Sequence, residues 1–186
     1  YYDDILVTTG SADFDAFVEM YHDAIALSHF ERSDVYSARM LEQFPDRRAA
    51  ALRSQVALLF NSLEPDLEEE ESEKVQETFS RLESKQRDLI TLEPDQVSSY
   101  YHLIQTLQLM DKPGKEDEIR QLLEKAQPLA TLPKDRAMVE VGFAQLEENQ
   151  GNIAQALAGY KRAAEPDPDG AAIWYSRGQL QEKLAQ

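Results

Sequence analysis

The chain has 186 residues, 42% of them hydrophobic, with only 7 glycines, 8 prolines and no cysteine. That apolar content suffices to bury a core, while the missing cysteine excludes a disulfide framework, thiolate chemistry and thiolate metal sites. Its 35 acidic residues against 19 basic ones give a formal net charge of −16, which opposes contact with nucleic-acid phosphates and with anionic membrane surfaces.

No apolar run approaches the ~20 residues that a spanning helix needs. No direct membrane insertion is therefore expected within this chain, and no cleavable leader is visible. The opening Tyr1-Tyr2, where a Met would begin a whole protein, suggests a piece of something longer.

Apolar residues recur at spacings of three and four, and strand-like alternation is nearly absent. This periodicity predicts an all-α chain with helices over about 13–28, 33–44, 46–62, 72–91, 96–111, 115–130, 134–149, 152–164 and 170–185. Ser33, Asp46 and Ser72 stand where a side-chain oxygen could accept from the free amides of a first turn. The breaks fall at Glu93-Pro94-Asp95, at Lys112-Pro113-Gly114 and at the run from Pro166 to Gly170, where proline cannot continue a helix.

The C-terminal part carries a repeat. Counting from Ala137, Gly151 falls where two helices need a tight left-handed turn, and Ala156 and Ala163 fall where they cross closely. Tyr160 fills the space between them, and Pro168 stops the second helix. The next unit opens at Ala171, with Trp174 and Gly178 at its early large and small positions. The step from 137 to 171 is 34 residues, the period of the tetratricopeptide repeat, a helix–turn–helix unit.

In this the chain resembles the tetratricopeptide repeat (TPR) family. The resemblance implies an α-solenoid of antiparallel helix pairs. An upstream unit begins near Val97, with Tyr100 at the tryptophan-like position, Leu103 inside and Glu118 to Ala126 as its second helix. Its step to the next unit is 40 residues, the surplus fitting longer turns at both of its ends. Residues 78–96 and 11–28 each read as a further second helix, and 30–75 as helical without a regular repeat. The expected organisation is a single helical repeat domain over 1–186: irregular repeats at 11–96, a TPR-like unit at 97–136, a TPR at 137–170 and a half repeat or capping helix at 171–186.

Catalytic and metal signatures are sparse. His22, His29 and His102 are scattered, and the sequence carries no glycine-rich phosphate loop and no HExxH or GxSxG motif. Ser84-Lys85 reads as ordinary surface in an acidic helix, and the acid-rich run at 67–73 as a solvated segment before the next helix. The competing reading of that run is a weak, salt-sensitive docking site for a basic partner or divalent cations. No cofactor, no metal and no catalysis are expected of this chain.

In TPR arrays the first helix of each pair lines the concave groove through its second, fifth, ninth and twelfth positions. Carried onto this chain, the resemblance selects Ser98, Tyr101, Gln105 and Gln108, then Met138, Val141, Gln145 and Glu148, then Ala172, Tyr175, Gln179 and Glu182. The ninth position is glutamine in all three units. A ladder of neutral amides can donate to and accept from an extended peptide backbone, and Tyr101 and Tyr175 would add apolar contact. The basic fifth-position clamp of chaperone-binding TPRs is absent, since tyrosine, valine and tyrosine stand there.

The order of segments over roughly 18–165 is also similar to the C-terminal region of bacterial O-antigen ligase-like membrane proteins, which lies outside the cytoplasm. That resemblance would make the chain the soluble tail of such a protein; otherwise a cytoplasmic setting is expected. It transfers no catalytic residue, because the ligase chemistry resides in membrane segments this chain lacks. The expectation is thus a non-catalytic scaffold for a protein or peptide partner. A structural, self-associating helical domain is the alternative.

Overall fold

The computed structural model describes residues 13–63, 73–110 and 114–166. Every regular element among them is helical. The α-helices are α1 (Phe14–Ala26), α2 (Phe30–Gln43), α3 (Arg48–Leu63), α4 (Glu73–Leu92), α5 (Val97–Leu109), α6 (Glu116–Ala126), α7 (Pro133–Asn149) and α8 (Ile153–Ala164). The helices expected at 170–185 and the cap expected at Ser72 lie outside the described residues. The chain divides into two compact units, Tyr1–Leu92 and Glu93–Gln186, with the division at the Glu93-Pro94-Asp95 break.

In the first unit, α1 packs on both α2 and α3, α2 on α3, and α3 on α4. A helix that meets its two successors behaves as the first member of a pair, whereas the sequence reading made this stretch a second member. The core is built from Phe17, Tyr21, Met40, Leu59 and Leu82. Around it, Phe14 and Phe17 meet the ring of Phe44 edge-on. Asp13 caps α1, its carboxylate accepting from the Ala16 amide at 2.9 Å.

Two boundaries depart from the sequence expectation. Ser33 is not a cap: α2 begins at Phe30, and Ser33 lies fully buried inside its first turn, its hydroxyl donating to the Phe30 carbonyl at 2.8 Å. Asp46 falls in a short 3₁₀ turn, Pro45–Arg47, that precedes α3.

Helix α1 stops at Ala26 because Ser28 turns left-handed at φ 55°. The His29 amide then reaches back to the Ala24 carbonyl at 2.8 Å. The second unit builds the same stop after α7, with Gly151 at φ 77° and the Asn152 amide on the Glu147 carbonyl at 2.8 Å. Glycine takes that conformation freely and serine does not. Ser28→Gly is therefore expected to stabilise the first unit by about 0.5–1 kcal/mol, read as a rise in its urea midpoint.

In the second unit, α5 packs on α6 and α7, α6 on α7, and α7 on α8. Helix α7 consequently buries residues all round, with Ala137, Val139, Gly142, Ala144 and Leu146 all covered. Helix α6 carries Glu116, Asp117 and Glu118 in its first turn and Lys125 in its last, each on the favourable side of the helix dipole. Tyr100 is buried and donates to the Pro94 carbonyl at 2.8 Å, which ties α5 to the break before it.

The crossing of α7 and α8 is made by small residues. Ala144, Ala156 and Tyr160 form one buried cluster, and Ala137, Ala163 and Ala164 another, with Val141 packed against both. A Cβ placed on Gly159 would stand 2.8 Å from Ala144 Cβ and 3.2 Å from its Cα, so the two backbones are as close as side chains permit.

Candidate groove on helices α5 and α7

On α5 the buried residues Leu103, Ile104, Thr106 and Leu107 face inward, and the half-buried Tyr101, Gln105 and Gln108 form a stripe beside them. On α7, Met138, Val141, Gln145 and Glu148 form a matching half-buried stripe. The helical spacing of three and four aligns each set on one side of its helix, and α5 and α7 pack on each other. Tyr175 and Gln179 lie outside the described residues, and so do Ala172 and Glu182.

The groove residues differ in how far their needs are met. Burial pushes the Tyr101 hydroxyl above its ordinary value, so it remains a neutral donor at physiological pH. Val141 packs into both clusters between α7 and α8 and serves the crossing as well as the face. Glu148 accepts from the Tyr160 hydroxyl at 2.9 Å, which draws its charge toward α8.

Two amides stand apart. Nε2 of Gln108 and Oε1 of Gln145 are each shut off from solvent and meet no hydrogen-bond partner. One is a donor and the other an acceptor. Leaving such an atom unpaired costs about 1–3 kcal/mol, and a peptide group, which carries one N–H and one C=O, offers both complements.

The opposite face of α7 is laced by charge pairs. Arg162 meets Glu140 at 2.8 Å, Arg120 meets Glu147 at 3.5 Å, and the Asn152 amide donates to Glu147 at 2.8 Å. Between them a shallow cavity of about 280 Å³ is floored by Phe143, Ala144 and Ala158.

The largest surprise lies in the first unit. Lys85, expected as surface, is half-buried, and its Nζ donates to Ser37 Oγ at 3.0 Å and to Gln55 Oε1 at 2.8 Å. Ser37 and Gln55 are both buried, and the Ser37 hydroxyl donates to Gln55 Oε1 at 2.9 Å. The ammonium also sits over the Tyr21 ring, 5.5 Å from its centroid. Burial lowers the Lys85 value to about 8 and raises that of Tyr21. Serines four apart on a helix were the available signal, since Ser33 and Ser37 take the place of small apolar residues at the α2 crossing.

No family model matches the chain, and no curated protein matches it. Among solved structures, a crystal structure of a thermophilic TPR protein from Thermus thermophilus is similar over 96% of this chain and 87% of its own length, with a TM-score of 0.62 at 15% sequence identity. At that identity the likeness concerns the fold. Among the described residues, no helix is long and apolar enough to cross a membrane. The chain has an all-α, TPR-like solenoid fold.

Proposed function

We propose that the chain is a non-catalytic scaffold that holds an extended segment of a protein partner along α5 and α7, chiefly through the partner's main chain. The observation that carries this reading is the half-buried stripe of Tyr101, Gln105 and Gln108 on α5 beside Met138, Val141 and Gln145 on α7, where Nε2 of Gln108 and Oε1 of Gln145 are left unpaired and a turn of each side chain would bring them to a partner. Tyr101 and Met138 flank them and supply apolar contact at low entropic cost. The stripe is neutral apart from Glu148, which is held by Tyr160. Binding should therefore depend on shape and backbone hydrogen bonds, with weak dependence on salt.

A random peptide library selected on the full wild-type chain alone, with the selected peptides then measured on wild type and on a Gln108→Leu/Gln145→Leu variant, tests this directly. Selected peptides are expected to lose at least tenfold in affinity on the double variant, measured by calorimetry. The same variant is expected to unfold at a higher denaturant concentration, by about 1–2 kcal/mol, because it removes unpaired buried polar atoms. Peptides that bind both forms equally would remove the amide pair from the reading.

In a wider setting, which rests on the resemblance of the segment order over roughly 18–165 to O-antigen ligase-like membrane proteins, this scaffold is the extracytoplasmic tail of such a protein and recruits partners there. The coding sequence upstream of Tyr1 tests it. Several long apolar spans would support the setting, and a start codon immediately before Tyr1 would end it.

A further inference from the structure

Lys85 is a half-buried lysine whose amine has no carboxylate among its hydrogen-bond partners. Its two hydrogen-bond partners, Ser37 Oγ and Gln55 Oε1, are neutral oxygens on α2 and α3. The charged groups facing it from the packed elements are already engaged or remote. Asp34 of α2 is bound to Arg81 of α4, and Arg81 is further held by Glu77 at 2.8 Å. Burial outweighs all of the charges acting on Lys85, of which Asp34 and, more weakly, Asp88 favour the charged amine and Arg81 disfavours it. From α1 the amine meets the face of the Tyr21 ring.

Two further atoms mark this interior as only partly satisfied. The Tyr21 hydroxyl and Nε2 of Gln55 are buried and unpaired. A charge in such surroundings gains two neutral hydrogen bonds and a ring contact, and loses its hydration. The neutral amine keeps a place in the same cluster, since it retains two N–H groups and gains a lone pair that can accept from the Ser37 hydroxyl. The interior therefore fits the uncharged form better than the charged one.

We infer that Lys85 makes the seating of α4 on α1, α2 and α3 pH-dependent, the first unit closing more tightly as its amine loses a proton. Burial sets the midpoint, bringing the value from 10.5 to about 8 in the folded unit. Between those two values the unfolded chain binds a proton at Lys85 that the folded unit does not, so stability rises with pH across that window. The folded-to-unfolded ratio should gain up to tenfold per pH unit there. Below about 8 both states hold the proton and the gain is absent. Acidification from mildly alkaline to neutral pH thus loosens α4.

The test uses the full chain. A carbon-13 NMR titration of the lysine Cε signals is expected to show Lys85 with a midpoint near 8, apart from the other lysines, and a midpoint near 10.5 would overturn the inference. In parallel, thermal unfolding of wild type and Lys85→Met is compared between about pH 7.5 and 9.5. Shared effects, such as ionisation of Tyr21 on unfolding, cancel in the difference. The wild type is expected to gain several degrees relative to the variant as pH rises, and a constant difference would contradict the inference. Should the variant fail to fold, the titration of the wild type decides alone.

Discussion

Replacing Gly159 by valine is expected to lower the stability of the second unit by about 2–3 kcal/mol, one of the two largest effects foreseen here for a single substitution. The reason is local. A Cβ on Gly159 already meets the Ala144 Cβ at 2.8 Å and, more seriously, its backbone Cα at 3.2 Å. A flexible side chain could turn away, but the α7 backbone cannot without separating the two helices. Gly142 provides the control. Its Cβ would meet Leu123 Cδ2 at 2.5 Å, the tip of a movable side chain, and alanine gains about 1 kcal/mol of helix propensity over glycine. Gly142→Ala should therefore be close to neutral. Urea unfolding of the three proteins distinguishes these outcomes, and equal losses at both glycines would show that the α7–α8 approach is not what makes Gly159 necessary.

Tyr160→Ala is expected to cost about 3–5 kcal/mol. The ring is 1% exposed and is enclosed by Ala144, Ala156 and the partly buried Val141, Ile153 and Leu157. Its two fully buried neighbours, Ala144 and Ala156, have little reach with which to close the void. Tyr160→Phe keeps the ring and removes the hydroxyl that donates to Glu148, so it should cost about 1 kcal/mol. The gap between the two variants, measured by the same unfolding experiment, separates the packing role from the polar one. A Phe variant as damaged as the Ala variant would mean that the Glu148 bond, and not the filled crossing, holds α8 in place.

The same two helices show why much of this architecture is legible in the sequence. Gly151, Ala156, Tyr160 and Ala163 fall on one repeat period, and each residue type has one job there: a left-handed turn, a close crossing, a plug. The structure places Gly151 at positive φ and buries the other three. In the first unit the equivalent jobs go to residues whose types suggest something else. Ser28 makes the left-handed stop that glycine makes after α7, so the sequence reading ran α1 two residues too far.

The meeting of Ser37, Gln55 and Lys85 was not legible for a different reason, although the serines four apart on α2 hint at a buried polar face. Each is an ordinary surface residue by type, and each becomes buried only because the other two meet it from 18, 30 and 48 residues away. A hydrogen-bond partner at that separation leaves no trace in local periodicity. The groove stripe lies between these cases. Helical spacing put Tyr101, Gln105 and Gln108, and likewise Met138, Val141 and Gln145, on one side of each helix. The unpaired state of two of the amides emerged only with the packing of α5 on α7.

The most direct test of the binding role is an NMR titration of the full chain with a selected peptide, following the side-chain amide signals of glutamine. The account predicts that Gln108 and Gln145 move first and furthest, with downfield shifts for the donor on Gln108, while Gln155 beside the cavity on the far side of α7 stays still. Shifts concentrated at Gln155, with Gln108 and Gln145 unmoved, would contradict it.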